Sequence, residues 1–327
     1  MPHRRSLLVG GLALPMVAQA QSWAPSRPVR IVVPIAAGGA LDITARLLAE
    51  RLTPLLGQSV VVENRAGAGG NIGAQHVAQS ERDGHTIMLA AANTLAGNKW
   101  LYGNRMPIEP TRDLAAITRV STGTILMVVN AQRPWRTFAE LIAFARANPG
   151  RVTMGSSGTG TTSHLYIETL KRAAGVDITH VPYRGGGPAI QDLVAGNIDM
   201  MFDVMPALMP HVREGRFRAL AVGSAQPVTF VPGIENVPGM ATLLPGSGID
   251  AQAWYAVTAP GGTPAAILER WHALLAQVVR APDFGARITP LGFQPVLDDS
   301  PAAFLEFWRA QEVVWRALVE LSGATAE

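Results

Sequence analysis

Cysteine is absent from the 327 residues, which excludes disulfides, thiolate metal sites and cysteine nucleophiles together. The chain also lacks any block of like charge, and its formal charge is only +3, a poor balance for holding nucleic acid. Beyond the N-terminus no apolar stretch reaches the roughly 20 residues that a membrane span requires. Familiar catalytic signatures are missing too. The Gly155–His164 loop has no lysine where a P-loop needs one, and no serine in it is flanked as G-x-S-x-G. In Gly67-Ala68-Gly69-Gly70-Asn71-Ile72-Gly73 the third glycine of a dinucleotide fingerprint would fall at Ile72, which argues against nicotinamide or flavin. The histidines at 76, 85, 164, 180, 211 and 272 stand singly, with no H-E-x-x-H, so no metal site is expected. No enzyme activity and no cofactor follow from these residues.

The N-terminus carries His3, Arg4 and Arg5, an apolar segment from Leu7 to Ala18, and small Ala18 and Ala20 around Gln19. That pattern predicts a signal peptide over 1–20, cut after Ala20, and a mature protein outside the cytoplasm, exported by the Sec or twin-arginine route. Loss of Arg4 and Arg5 lowers the formal charge from +3 to +1. About 300 remaining residues suffice for two domains and bury roughly three quarters of their unfolded surface.

Strand-like and helical patterns then alternate. Val29–Val33 is a short β-branched run, closed by Pro34 and followed by the glycine turn Gly38-Gly39. From Ile43 the apolar period becomes helical, through Leu47, Leu48, Leu52, Leu55 and Leu56 to Gly57. A ligand anion can approach the backbone of such a turn closely; equally, Asp42 can be a plain helix cap. Further strands are predicted at 86–90, 125–129, 151–154, 178–181, 199–202, 217–222 and 254–259. Helices are predicted around Ile72–Gln79, Phe138–Ala147, Thr162–Ala174, Ala189–Ala195, Ala265–Val279 and Pro301–Ala324. The alternation implies an α/β fold with parallel sheets. Ala96–Pro110 and Val231–Gly248 read as connections.

The most polar loop is Ser156, Ser157, Gly158, Thr159, Gly160, Thr161, Thr162, Ser163 and His164, again between a strand and a helix. Its hydroxyls and amides suit a carboxylate or phosphate without lysine or arginine, though a flexible loop capped by Thr161 or Thr162 fits as well. Asp203 follows a strand, where it can orient a ligand group or cap a helix. Tyr183 and Arg184 lead into Gly185-Gly186-Gly187, a loose echo of Gly38-Gly39; Arg184 can attract an anion or stay solvated.

Taken in order, the segments RPVRIVVPIAAGG, VENRAGAGGNIGA, DGHTIMLA, NPGRVTMGSSGTGTTSHL, HVPYRGGGPAIQDLVAGNIDMMFD and WYAVTAPGGTP resemble the Bug-type solute-binding proteins of tripartite tricarboxylate transporters. The resemblance implies a two-lobed type II periplasmic-binding-protein fold, each lobe a mainly parallel sheet flanked by helices, with ligand in the interlobe cleft. It implies lobe 1 at 21–124 and 223–327 and lobe 2 at 125–222, and a receptor, not an enzyme, that delivers a small carboxylate to permease subunits. A monomer is expected. Implied ligand-binding positions are Gly38, Gly39, Ala40, Leu41 and Asp42, then Ser156–Thr162 and His164, with Asn93, Tyr183, Arg184 and Asp203 shaping the rest. Two departures stand out. Ile35-Ala36-Ala37 and Leu41 replace the family's usual Phe-Pro-Pro and small hydroxyl residue, which points to a ligand with a less polar body than citrate; and Val228–Gly248 differs from the usual shorter form. The alternatives are a ligand sensor uncoupled from transport and a secreted hydrolase using Ser157 and His164.

Overall fold

A computed structural model describes residues 23–224, 227–229, 231–246 and 253–324. The expected signal peptide lies outside them, as do Phe230 and residues 247–248 of the departing segment. Strands fall where β-branched and other apolar residues cluster. In chain order they are β1 (Val29–Val33), β2 (Val60–Asn64), β3 (Thr86–Ala91), β4 (Leu114–Gly123), β5 (Ile125–Asn130) and β6 (Thr153–Ser156). Then come β7 (Thr179–Pro182), β8 (Met200–Val204), β9 (Phe217–Val222), β10 (Ala253–Pro260) and β11 (Phe293–Pro295). They form a six-stranded sheet in the order β11-β4-β10-β3-β1-β2 and a five-stranded sheet in the order β7-β6-β8-β5-β9. Helices flank both sheets, and β5 and β10 are buried along their whole length.

Both sheets are mixed. β1 pairs in parallel with β2 and β3, and β6 with β7 and β8, as the alternation of strand and helix predicts. The remaining ladders are antiparallel. They involve the strands that carry the chain between sheets, which no helical crossover holds parallel to their neighbours. β4 and β5 lie in different sheets although only Thr124 separates them. The exit from the second sheet sits beside this entrance: the Gly223 N–H donates to the Ile125 carbonyl at 2.8 Å, and Ile125 leaves no room for a side chain at Gly223.

Ala96–Pro110 is not an open connection. A π-type turn over Asn93–Gly97 leads into helical turns at Asn98–Tyr102 and Gly103–Arg105. Distant residues hold it: the Trp308 indole donates to the Leu95 carbonyl at 2.9 Å, and a Cβ on Gly97 would come within 2.7 Å of Trp315. Both tryptophans belong to the closing helix, Pro301–Ser322, which Ser300 caps through the Ala303 N–H at 3.1 Å. Phe304, Trp308 and Trp315 face the core, Phe307 lies 3.7 Å beneath the Arg119 guanidinium, and Val314 faces solvent. This helix packs on β4 of the first sheet and on the Thr162–Ala174 helix beside the second.

Candidate functional site

β1 ends in a turn whose Gly38 adopts φ +87°, a conformation that glycine enters without strain. Gly39 then precedes the helix Ala40–Leu56 as its cap residue. Asp42 is buried and fully engaged: Oδ2 accepts from the Gly38 N–H and from Arg46 Nε, each at 3.0 Å, and Oδ1 accepts from Arg46 Nη2 and Asn64 Nδ2, each at 3.0 Å. Burial alone pushes its carboxyl upward, but Arg46, the Gly38 amide and Asn64 outweigh it and hold the carboxyl below its ordinary range. Asp42 therefore braces the turn from behind. Gly39, Ala40 and Leu41 line the cleft, at the helix end whose first N–H groups have no intrahelical acceptor.

The polar loop after β6 is built on the same plan with neutral groups. The Ser157 N–H donates to Ser163 Oγ at 2.9 Å, Thr161 Oγ1 donates to the Gly158 carbonyl at 2.7 Å, and the Gly160 N–H donates to His164 Nδ1 at 3.1 Å. Ser156 Oγ meets His180 Nε2 at 2.6 Å and is wholly buried. Ser157 donates its hydroxyl to Asp203 Oδ2. Ser157, Thr161, Thr162 and Ser163 reach the cleft wall, at the N-terminus of the helix Thr162–Ala174. Ser156, Gly160 and His164 stand behind it.

Between these helix ends lies an inner cleft with about 640 Å³ of empty space, part of it open to solvent. Asn93 and Asp203 line it, and among its described lining residues there is no lysine, arginine or histidine. Ile35, Ala40, Leu41, Ala91, Ala92, Val204, Ala207 and Trp254 make most of the wall apolar. Asp203 keeps some exposure, yet burial pushes its carboxyl up to about 6, against the lowering effect of the Ser157 hydroxyl and the Val204 N–H. Gly158, Thr159, Tyr183 and Arg184 instead line an adjoining outer crevice with Gly67–Gly70 and Tyr102. The Tyr183 hydroxyl is turned away to Asp192 Oδ2 at 2.6 Å, and burial with that bond pushes it up to about 12.

The two sides touch. A Cβ on Gly187 would lie 2.9 Å from the Ala37 carbonyl oxygen, one on Gly185 3.0 Å from Ala36 Cβ, and one on Gly69 3.1 Å from the Thr159 carbonyl oxygen. The echo between the two glycine turns is thus a contact: they form facing lips, and only residues without side chains bring backbones so near. Asn93 Nδ2 spans the same seam, donating to the Gly69 carbonyl at 3.2 Å and the Gly160 carbonyl at 3.5 Å.

Motif reading missed Tyr255 and Trp254 of β10 and Thr94, and it placed Ser163 in the polar loop and Gly186 in the glycine turn without assigning either to ligand contact; all five are on the inner wall. The buried run 254–259 marks a strand, but nothing in it tells which face meets the cleft. It also missed a cluster: His164, Glu168 and His180 bring ligating atoms within 4.8 Å of one another. The two rings stack 4.4 Å apart at 14°, so their in-plane lone pairs do not converge on one point, and the Lys171 ammonium donates to Glu168 at 3.0 Å. These contacts pack the floor beneath the polar loop.

Comparison with known proteins fits this geometry. The model of the tripartite tricarboxylate transporter family receptor matches residues 44–323. The solved periplasmic binding protein BugD is similar at 32% identity and TM-score 0.85, over 93% of this chain and all of BugD. Rpa4515 of R. palustris, solved with adipate, is similar at 32% identity and TM-score 0.86, over 92% of this chain and 99% of that one. MatC of Rhodopseudomonas palustris, solved with malate, gives 28% and 0.82, over 90% and 99%. The family model describes a receptor and BugD is a periplasmic binding protein; neither describes an enzyme. With that match over most of its length, the chain belongs to the tripartite tricarboxylate transporter receptor family, among the Bug-type solute-binding proteins.

Proposed function

We propose that this protein is an exported receptor that closes lobes 21–124 with 223–327 and 125–222 on a small carboxylate, then delivers it to a membrane permease. The carrying observation is the cleft itself: two helix N-termini, at Gly39–Leu41 and Thr161–Ser163, face one space with no cationic side chain among its described lining residues. Unpaired helix amides are suited to an anion, and both sets meet one ligand only when the lobes come together, so binding free energy favours the closed form. Adipate and malate in the solved relatives support the carboxylate class. Leu41, Ile35 and the alanines argue for a ligand whose body is apolar. Among the predicted positions, Gly39, Ala40, Leu41, Asn93, Ser157, Thr161, Thr162 and Asp203 are assigned to ligand contact, and Asp42, Ser156 and His164 to support.

The hydrolase alternative has no supporting geometry. Ser157 donates to Asp203, His164 Nδ1 takes the Gly160 N–H, and the serine that does meet a histidine, Ser156, is buried. Native mass spectrometry of freshly purified protein, followed by calorimetry with the acid recovered, tests the receptor reading. An empty protein that no carboxylate stabilises sinks it; uptake that persists unchanged in cells lacking the gene removes the transport half alone.

A further inference from the structure

The carboxylate end of the inner cleft needs only amides; the other polar features there have a different character. Asp203 is the sole charged side chain among the described lining residues. It stands at the end of β8, in the second sheet, while Tyr255 approaches from β10 in the first. The Tyr255 ring is fixed by stacking on Phe293, with centroids 4.9 Å apart at 26°. Tyr255 and Asp203 line the same cleft, and burial, with the Asp203 charge adding to it, keeps the phenol protonated. Asp203 accepts from Ser157 through Oδ2 and from the Val204 N–H through Oδ1 at 2.7 Å. A carboxylate has about four lone-pair positions, so capacity remains on both oxygens. Alanine, valine and tryptophan line the cleft beside the pair, and a low-polarity setting strengthens a hydrogen bond or ion pair formed in it.

From this arrangement, and resting on the receptor reading above, we propose that Asp203 and Tyr255 form a selectivity subsite for a hydrogen-bond donor, a hydroxyl or an ammonium, at the end of the ligand remote from its carboxylate. A ligand hydroxyl donates to Asp203 and accepts from Tyr255, linking the two lobes through the ligand. An ammonium pairs with Asp203 directly. A second carboxylate at the same place faces an acidic group with no cation among the described lining residues to offset it, so the subsite selects against dicarboxylates.

Calorimetry at pH 7.5 tests this with linear acids of about four to six carbons, each length offered as the plain acid, the ω-hydroxy acid, the ω-amino acid and the dicarboxylate. At the best length, one donor-bearing acid binds at least about tenfold tighter than both the plain acid and the dicarboxylate; which one leads separates the hydroxyl from the ammonium. Asp203→Asn removes most of the discrimination against the dicarboxylate. Tyr255→Phe, which keeps the ring stack, weakens the hydroxy acid more than the amino acid, and circular dichroism checks that both variants fold. A dicarboxylate or plain acid that binds as tightly as the donor-bearing acids overturns the subsite and leaves the receptor reading intact. Binding of no acid at all overturns both.

Discussion

The two loops that face the cleft perform one task with opposite chemistry. The loop before Ala40 is glycine and apolar residues, held from behind by an ionised carboxylate with Arg46 and Asn64. The loop before Thr162 is rich in hydroxyls, of which Ser156, Thr161 and Ser163 bond the loop's own backbone and Ser157 bonds Asp203. In both, buried polar side chains shape the backbone at the cleft, and in the second loop Ser157, Thr161, Thr162 and Ser163 also reach its wall. Polar richness in a sequence therefore marks where a loop is braced as readily as where a ligand sits.

Removing the charged brace has the largest effect. Asp42→Ala leaves the Gly38 N–H and Asn64 without their acceptor and costs about 3 kcal/mol of stability by denaturant melts; Ser163→Ala, the neutral counterpart, costs about 1 kcal/mol. Equal losses break the contrast. Next comes the contact between lips. Gly187→Ala sets a methyl against the Ala37 carbonyl oxygen and weakens ligand binding about tenfold or more by calorimetry, because the lips no longer approach as closely. Unchanged affinity shows that the lips do not meet in the bound state.

The smallest effect sharpens the comparison by pH. Asp42 has a lowered folded pKa, so its stabilisation is present above the ordinary carboxylate range and is lost as pH falls through the folded value. Asp203 has a raised one, about 6, so its contribution is full below about 4 and is lost as pH rises through about 6. Asp203→Asn, which retains an acceptor for Ser157, raises the apo melting temperature by a few degrees at pH 8, an effect on the order of 1 kcal/mol. At pH 4.5 the gain largely disappears. A gain of the same size at both pH values shows that Asp203 does not titrate in this window.

Much of the fold is legible locally. Phe138–Ala147, Thr162–Ala174 and Ala265–Val279 are helices at the predicted boundaries, because apolar spacing and nearby caps act within a few turns. β4 was not legible. Its Thr118 and Arg119 look like a surface segment, and they are held inside by Asp298, 179 residues from Arg119, which takes the Arg119 guanidinium at 2.7 Å, its N–H at 2.8 Å and the Thr118 hydroxyl at 3.4 Å. The helical turns of Asn93–Arg105 fail to show for the same reason, since the final helix holds them. At the cleft, the strand-turn-helix units were legible and their glycines pointed to close approach. What the sequence withholds is whether a polar group faces the ligand or its own backbone, as Asp42 and Tyr183 illustrate, and which return strand completes the wall.

Among its described lining residues the inner cleft has no lysine or arginine and one carboxylate, Asp203, while Arg184 lines only the adjoining outer crevice, so no basic rim draws an anion into it. Ligand encounter is then unsteered, with an association rate that changes little between low and high ionic strength, unlike a receptor that draws anions with a basic rim. Capture by such a mouth depends on how long the lobes hold after contact, so differences in affinity among ligands reside in the rate of escape.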